Sequence, residues 1–162
     1  MNEAQLELSV MELFQQEGYE YLSGDSILRE TTDVLLKDDL RMYLMMKYAA
    51  DGITSNEIET IIFGLVRASH EPLYDANKEM LNKIIEGFVL RREDKTKKDL
   101  FIRLIDFDNV HNNIFKVVNQ VEIQGKHELR IPDAIVYING LPLVVIEFKS
   151  ATRENATIHN AY

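Results

Sequence analysis

Through the first half of the chain, apolar residues recur at helical spacing. In "EAQLELSVMELFQQEGYEYL", Leu6, Val10, Met11, Leu13 and Phe14 share one stripe, and Gly18 marks a stop. Residues 33–50 and 55–68 predict two further helices. The second opens on Ser55 as a cap and carries Ile58, Ile61, Ile62 and Leu65 on one face. Met42, Met45 and Met46 sit at helical spacing and are expected in the core. Residues 74–90 predict a fourth helix. After the polar run "RREDKTKKD" the period drops toward two. Residues 100–107, 114–124, 133–138 and 143–149, rich in Val, Ile and Phe, predict strands, with "DNVHNN", "GKHE" and "NG" as the turns between them. "TRENATIHNAY" reads as the start of a helix over 153–162 that the chain does not complete.

This order predicts an α/β (α+β) chain, mainly helical over 1–90. Residues 100–149 would form a mostly antiparallel or mixed sheet of about four strands flanked by helices. At 162 residues it is long enough for a single domain, 1–162, with its own core. The interrupted helix suggests a fragment of a longer multidomain chain.

Composition narrows the function. An apolar content of 46% argues against disorder. No apolar run reaches the roughly 20 residues that span a bilayer, and "MNEAQLELSV" lacks the layout of a signal peptide. A cytoplasmic protein with no membrane partner is expected. The chain has no cysteine, which removes thiol nucleophiles and thiolate zinc sites. His70, His111, His127 and His159 have no metal-ligand spacing. His111 and Asn113 read as turn residues. The net charge is −9, and all of the excess lies in residues 1–60, with 13 Asp or Glu against 4 Lys or Arg. Such a chain has no strong electrostatic grip on nucleic acid of its own. The basic run at 91–98 reads as a solvated linker, or alternatively as a DNA contact.

One stretch contradicts its own hydrophobicity. "IPDAIVYINGLPLVVIEFKS", residues 131–150, reads as a hairpin, yet it contains Asp133, Glu147 and Lys149. "LVVIEF" reads as a central strand buried on both faces, where charges are rare unless paired or functional. A two-residue loop at Asn139-Gly140 would pair Ile138 with Leu141 and set Asp133 opposite Ile146, on the wrong face from Glu147. A three-residue loop restores the match. With Asn139–Leu141 as loop, 133 pairs with 147; with Ile138–Gly140, 133 pairs with 145 and lies diagonal to 147. Pro142 cannot donate to the ladder, which favours the odd loop. Two adjacent carboxylates repel each other unless a cation intervenes, and Mg²⁺ is commonly held by one or two carboxylates with waters and substrate phosphate. The bland alternative is an exposed hairpin with a Glu–Lys pair facing water.

"PD" at 132–133 with "EFK" at 147–149 resembles the PD-(D/E)xK nuclease signature. The wider run, with "NGLPLVVIE", "LIDFDNVHNNIFKVVNQVEI" at 104–123 and "EGYEYL" at 17–22, resembles the N-terminal nuclease region of the motor (restriction) subunit of type I restriction enzymes. The resemblance implies a restriction-endonuclease-like core and Mg²⁺-dependent cleavage of double-stranded DNA. Asp133 and Glu147 would be metal ligands, with the backbone carbonyl of Phe148 reaching the same metal. Lys149 would be the catalytic lysine. Glu7, on the first helix, would be a further acidic member of the catalytic site; the alternative is a solvated helix charge. Arg130 and Arg153 flank the hairpin as candidate DNA contacts. ATP would be used by a separate helicase/translocase domain of the parent chain, since no G-x-x-x-x-G-K-[ST] occurs here. Methylation and specificity subunits would be the other partners. The family's Gln-x-x-x-Tyr element is not complete by Tyr162. A non-catalytic docking module of the same fold and a structure-specific repair or recombination nuclease are the rival readings.

Overall fold

A computed structural model describes residues 3–68, 73–125 and 127–149. The chain divides into two compact units: residues 1–34 with 115–162, and residues 35–114. The C-terminal helix start expected at 153–162 lies outside the described residues.

The first unit is a helix on a four-stranded sheet. Helix α1 (Glu3–Gln16) is followed by strand β1 (Glu20–Ser23). After the second unit come β4 (Phe115–Asn119), the short pair β5 (Ile123–Gln124) and β6 (Leu129–Arg130), then β7 (Ala134–Ile138) and β8 (Leu141–Ile146). The sheet order is β1-β4-β7-β8. β1 runs parallel to β4, and the β4–β7 and β7–β8 pairs are antiparallel. Met11 of α1 packs with Val117, Ala134, Val136 and Phe148, and Leu6, Val10, Phe14, Tyr19, Tyr21 and Ile146 close around them. These strand residues share one face because side chains alternate. Fully burying an aliphatic or aromatic side chain is worth about 1.5–3 kcal/mol, so this face holds α1 in place. Gly24 follows β1 at a close crossing: a Cβ there would collide with the backbone carbonyl of Gln120.

The second unit carries α2 (Lys37–Lys47), α3 (Ser55–Ala68), α4 (Leu73–Ile85), and a hairpin of β2 (Phe88–Leu90) and β3 (Leu100–Ile102). Leu40, Tyr43, Leu44, Ile58, Ile61, Leu65, Ile102 and Leu104 are buried. The N-terminal cap of α3 is Thr54 rather than Ser55. Thr54 Oγ1 accepts from the Glu57 N–H at 3.2 Å, and Glu57 Oε2 accepts from the Thr54 N–H at 3.0 Å, a reciprocal capping box. Met42, Met45 and Met46 face outward at 49%, 42% and 67% exposure, against the core expectation. Residues 100–107 give only the three-residue β3, and the fourth place in the main sheet goes to β1.

Two expectations about the charged hairpin are corrected. The loop is the two-residue Asn139-Gly140 turn, with φ of 51° and 79°. Both central residues of a type I′ turn need positive φ, which Asn and Gly accept most readily. Register is restored further along instead. Tyr137 pairs with Pro142 but Val136 pairs with Val144, so Leu143 is the extra residue of a β-bulge. β8 is also not central. Among the described residues it pairs with β7 alone, and Val144 and Val145 are 50% and 63% exposed. An edge position explains why Pro142 is tolerated there.

Candidate active site

The bulge decides what meets at the open end of the hairpin. Ala134 pairs with Ile146, so continuing the ladder by one residue brings Asp133 opposite Glu147. The backbone N–H of Phe148 donates to Asp133 Oδ2 at 2.6 Å. That bond fixes one oxygen of the carboxylate. Phe148 is buried in the α1 core, while Glu147 and Lys149 on either side of it are exposed. Strand alternation thus places the two charges away from the core that grips the residue between them.

The electrostatics bear the mark of crowding. The Glu147 carboxyl is pushed above its ordinary range, first by its partial burial, then by the Asp133 charge and a hydrogen bond with Asp133; Lys149 opposes the rise. A carboxyl whose proton affinity is raised by burial and by a neighbouring carboxylate has unspent attraction for a cation.

Glu7 lies on the half-buried flank of α1, one turn before Met11. Asn119 Nδ2 donates to Glu7 Oε1 at 2.9 Å. Asn119 ends β4 directly opposite Ala134, so Glu7 reaches the Asp133 end of the sheet. Asn119 Oδ1 is buried and has no hydrogen-bond partner among the described residues. An unmet acceptor of this kind costs about 1–3 kcal/mol. The next residue, Gln120, has φ 52°, and its N–H donates to the Asp133 carbonyl at 3.1 Å. In the sequence Asn119 and Gln120 interrupt the apolar run "FKVVNQVEI", a pattern that fits a contact with the site from the neighbouring strand and local hydrogen bonding equally well.

Asp133, Glu147, Lys149 and the Phe148 backbone therefore gather at one place, with Glu7 tied to the adjoining strand end. Among the described residues, no group of three or more His, Asp or Glu is assembled to hold a metal ion. The arrangement fits a cation held by two carboxylates, completed by water and phosphate oxygens, better than a closed protein cage. Arg130 is exposed and bound to Glu128 at 2.6 and 2.9 Å. Arg153 lies outside the described residues. The basic run at 91–98 contains an unexpected core residue: Arg92 is buried in the second unit, where it pairs with Glu57.

The model of the type I restriction enzyme R protein N terminus matches residues 1–162. The chain belongs to that family. It is 27% identical, over its whole length, to the HindI endonuclease subunit of a type I restriction enzyme of Haemophilus influenzae. It is 31% identical over 90% of its length to a provisionally named MjaIXP endonuclease subunit of Methanocaldococcus jannaschii. It is 26% identical over 99% of its length to the SauCOLORF180P endonuclease subunit of Staphylococcus aureus. The chain spans only 15–16% of the length of these relatives. It is thus similar to the N-terminal domain of type I restriction endonuclease subunits, and the expected α/β architecture with a helical first half is the one observed.

Proposed function

We propose that this domain cuts phosphodiester bonds of double-stranded DNA within an ATP-dependent type I restriction-modification complex in the cytoplasm. The observation that carries the reading is the meeting of Asp133 and Glu147, with the Glu147 proton affinity raised by partial burial and then by its neighbour. Asp133 and Glu147 would hold Mg²⁺, with the Phe148 carbonyl beside them. Bound there, the ion would lower the pKa of a water and neutralise charge on the phosphate. Lys149 would orient the attacking water and balance charge developing on the phosphoryl oxygens. The hydrogen bond from Phe148 N–H would keep the Asp133 carboxylate aimed while the other oxygen binds. Arg130 and Arg153 would touch the DNA backbone. The acidic balance of the chain assigns delivery of DNA to other parts of the assembly: a helicase/translocase domain of the parent chain, which would use the ATP, and methylation and specificity subunits.

Two measurements test the reading. Calorimetry with Mn²⁺ or Mg²⁺ should detect binding that Asp133→Ala abolishes; no binding, or binding indifferent to Asp133, would leave a non-catalytic docking module as the better description. In the assembled parent enzyme, Lys149→Ala should abolish double-strand cleavage and leave ATP-driven translocation intact. Cleavage that survives the substitution would remove Lys149 from the mechanism.

A further inference from the structure

Strand pairing and core packing leave one contact in the first unit unexplained. Asn119 and Glu7 are 112 residues apart, yet the Asn119 amide donates to the Glu7 carboxylate at 2.9 Å. Asn119 is flanked by Ser23 on one side and Ala134 on the other, so it sits inside the sheet, one position from Asp133. Its carbonyl oxygen is buried and, among the described residues, accepts no hydrogen bond. The adjoining Gln120 takes a left-handed conformation, and its N–H donates to the Asp133 carbonyl. The end of β4 therefore holds Glu7 through a side chain and Asp133 through the backbone.

We propose that Asn119 is a positioning residue of the candidate nuclease site: its amide holds the Glu7 carboxylate at the Asp133 end of the sheet, and its carbonyl oxygen accepts a hydrogen bond from a water bound to the divalent cation. The proposal rests on the metal-dependent reading given above. An asparagine suits both halves of this task, because one rigid planar group carries a donor and an acceptor. Aspartate would repel Glu7. Lysine would place a competing cation where the metal's hydration shell belongs. The Glu7 carboxylate would then act on the ion through ordered water, consistent with its standing apart from a three-carboxylate cluster among the described residues. Groups that orient a metal's inner ligands and waters commonly contribute about 10–100-fold to affinity.

The test is a double-mutant cycle on Mn²⁺ affinity, measured by calorimetry on the 162-residue chain, with thermal melts run in parallel. Asn119→Ala and Glu7→Ala should each weaken Mn²⁺ binding roughly ten-fold, and the double variant should be no weaker than either single one. If alanine at 119 unfolds the sheet, Asn119→Thr, which suits a strand, takes its place with the same expected pattern. Unchanged affinity in the 119 variant, or losses that simply multiply, overturn the proposal. Asp133→Ala separates the two levels of inference. If the wild-type chain binds no Mn²⁺, or Asp133→Ala binds it equally well, the metal reading falls, and the role of Asn119 falls with it. If binding depends on Asp133 but not on the Glu7–Asn119 couple, only the role of Asn119 falls.

Discussion

The two units treat their carboxylates in opposite ways. In the helical unit, Glu57 is 2% exposed and surrounded by donors. The Arg92 guanidinium reaches it at 2.8 and 3.0 Å, and the N–H groups of Thr54 and Glu93 complete the set. Burial opposes ionisation there, but the Arg92 and backbone hydrogen bonds outweigh it, and the carboxyl titrates below its usual value. Asp106 is similar: Lys47 at 2.6 Å, Asn112 and the Asn109 N–H hold it well below the ordinary carboxylate range. In the sheet unit, Glu147 is partly desolvated, faces another carboxylate and shifts the other way. Saturated carboxylates stabilise a fold. A crowded and under-supplied pair is unstable alone and has capacity left for something that binds.

The largest effect should come from breaking the saturated side. Arg92→Met leaves Glu57 buried without its partner and should cost about 3–5 kcal/mol in urea unfolding. Adding Glu57→Gln should recover part of that loss, and strictly additive losses would show that the pair is not coupled. Lys47→Met should cost about 1.5–3 kcal/mol at neutral pH. Its pH signature has a definite sign. Asp106 has a depressed folded pKa, so its stabilisation is present above the unfolded value near 3.9 and is lost as pH falls toward the folded one. The Lys47 variant should therefore show a shallower loss of stability in acid than the wild type. The smallest effect lies on the crowded side and has the opposite direction. Asp133→Asn keeps an acceptor for the Phe148 N–H but removes a like charge. Without metal it should raise stability by up to about 1 kcal/mol and bring the Glu147 titration, followed by carbon NMR, down toward its ordinary value. A destabilised Asp133→Asn domain would erase the contrast between the units.

How much of this was legible depended on sequence distance. The charged hairpin could be read because its residues lie within a short stretch and the turn is Asn-Gly. The convergence of Asp133 with Glu147 was expected, but through the wrong device. Pro142 was weighed against a tight turn, whereas an edge strand tolerates it and the bulge at Leu143 does the correcting. β1 escaped notice because four residues after a helix stop carry little periodicity, and their partner strand is nearly a hundred residues away. Glu57 and Arg92 are 35 residues apart, and the surrounding "RREDKTKK" disguised a core arginine as part of a solvated run. The Thr54-x-x-Glu57 capping box was visible in the sequence and would have named the cap residue; the 55–68 span of α3 itself was read as observed. The exposed methionines on α2 show the limit of spacing alone, which defines a stripe without saying what lies against it.

Leu143 and Phe148 together carry a consequence for how such a domain can fail. A ladder that absorbed Leu143 without bulging would slide every later residue by one place, setting Ile146 against Asp133 and turning Glu147 and Lys149 to the opposite side. The amino acids, the turn and the strand count would all be unaltered, and the meeting of the two carboxylates would be gone. Phe148 guards against that mute twin, because the slipped strand would expel its ring from beneath α1 into water. An aromatic residue with no reactive atom in its side chain is thus the arbiter between a strand that brings Glu147 to Asp133 and a slipped copy that does not.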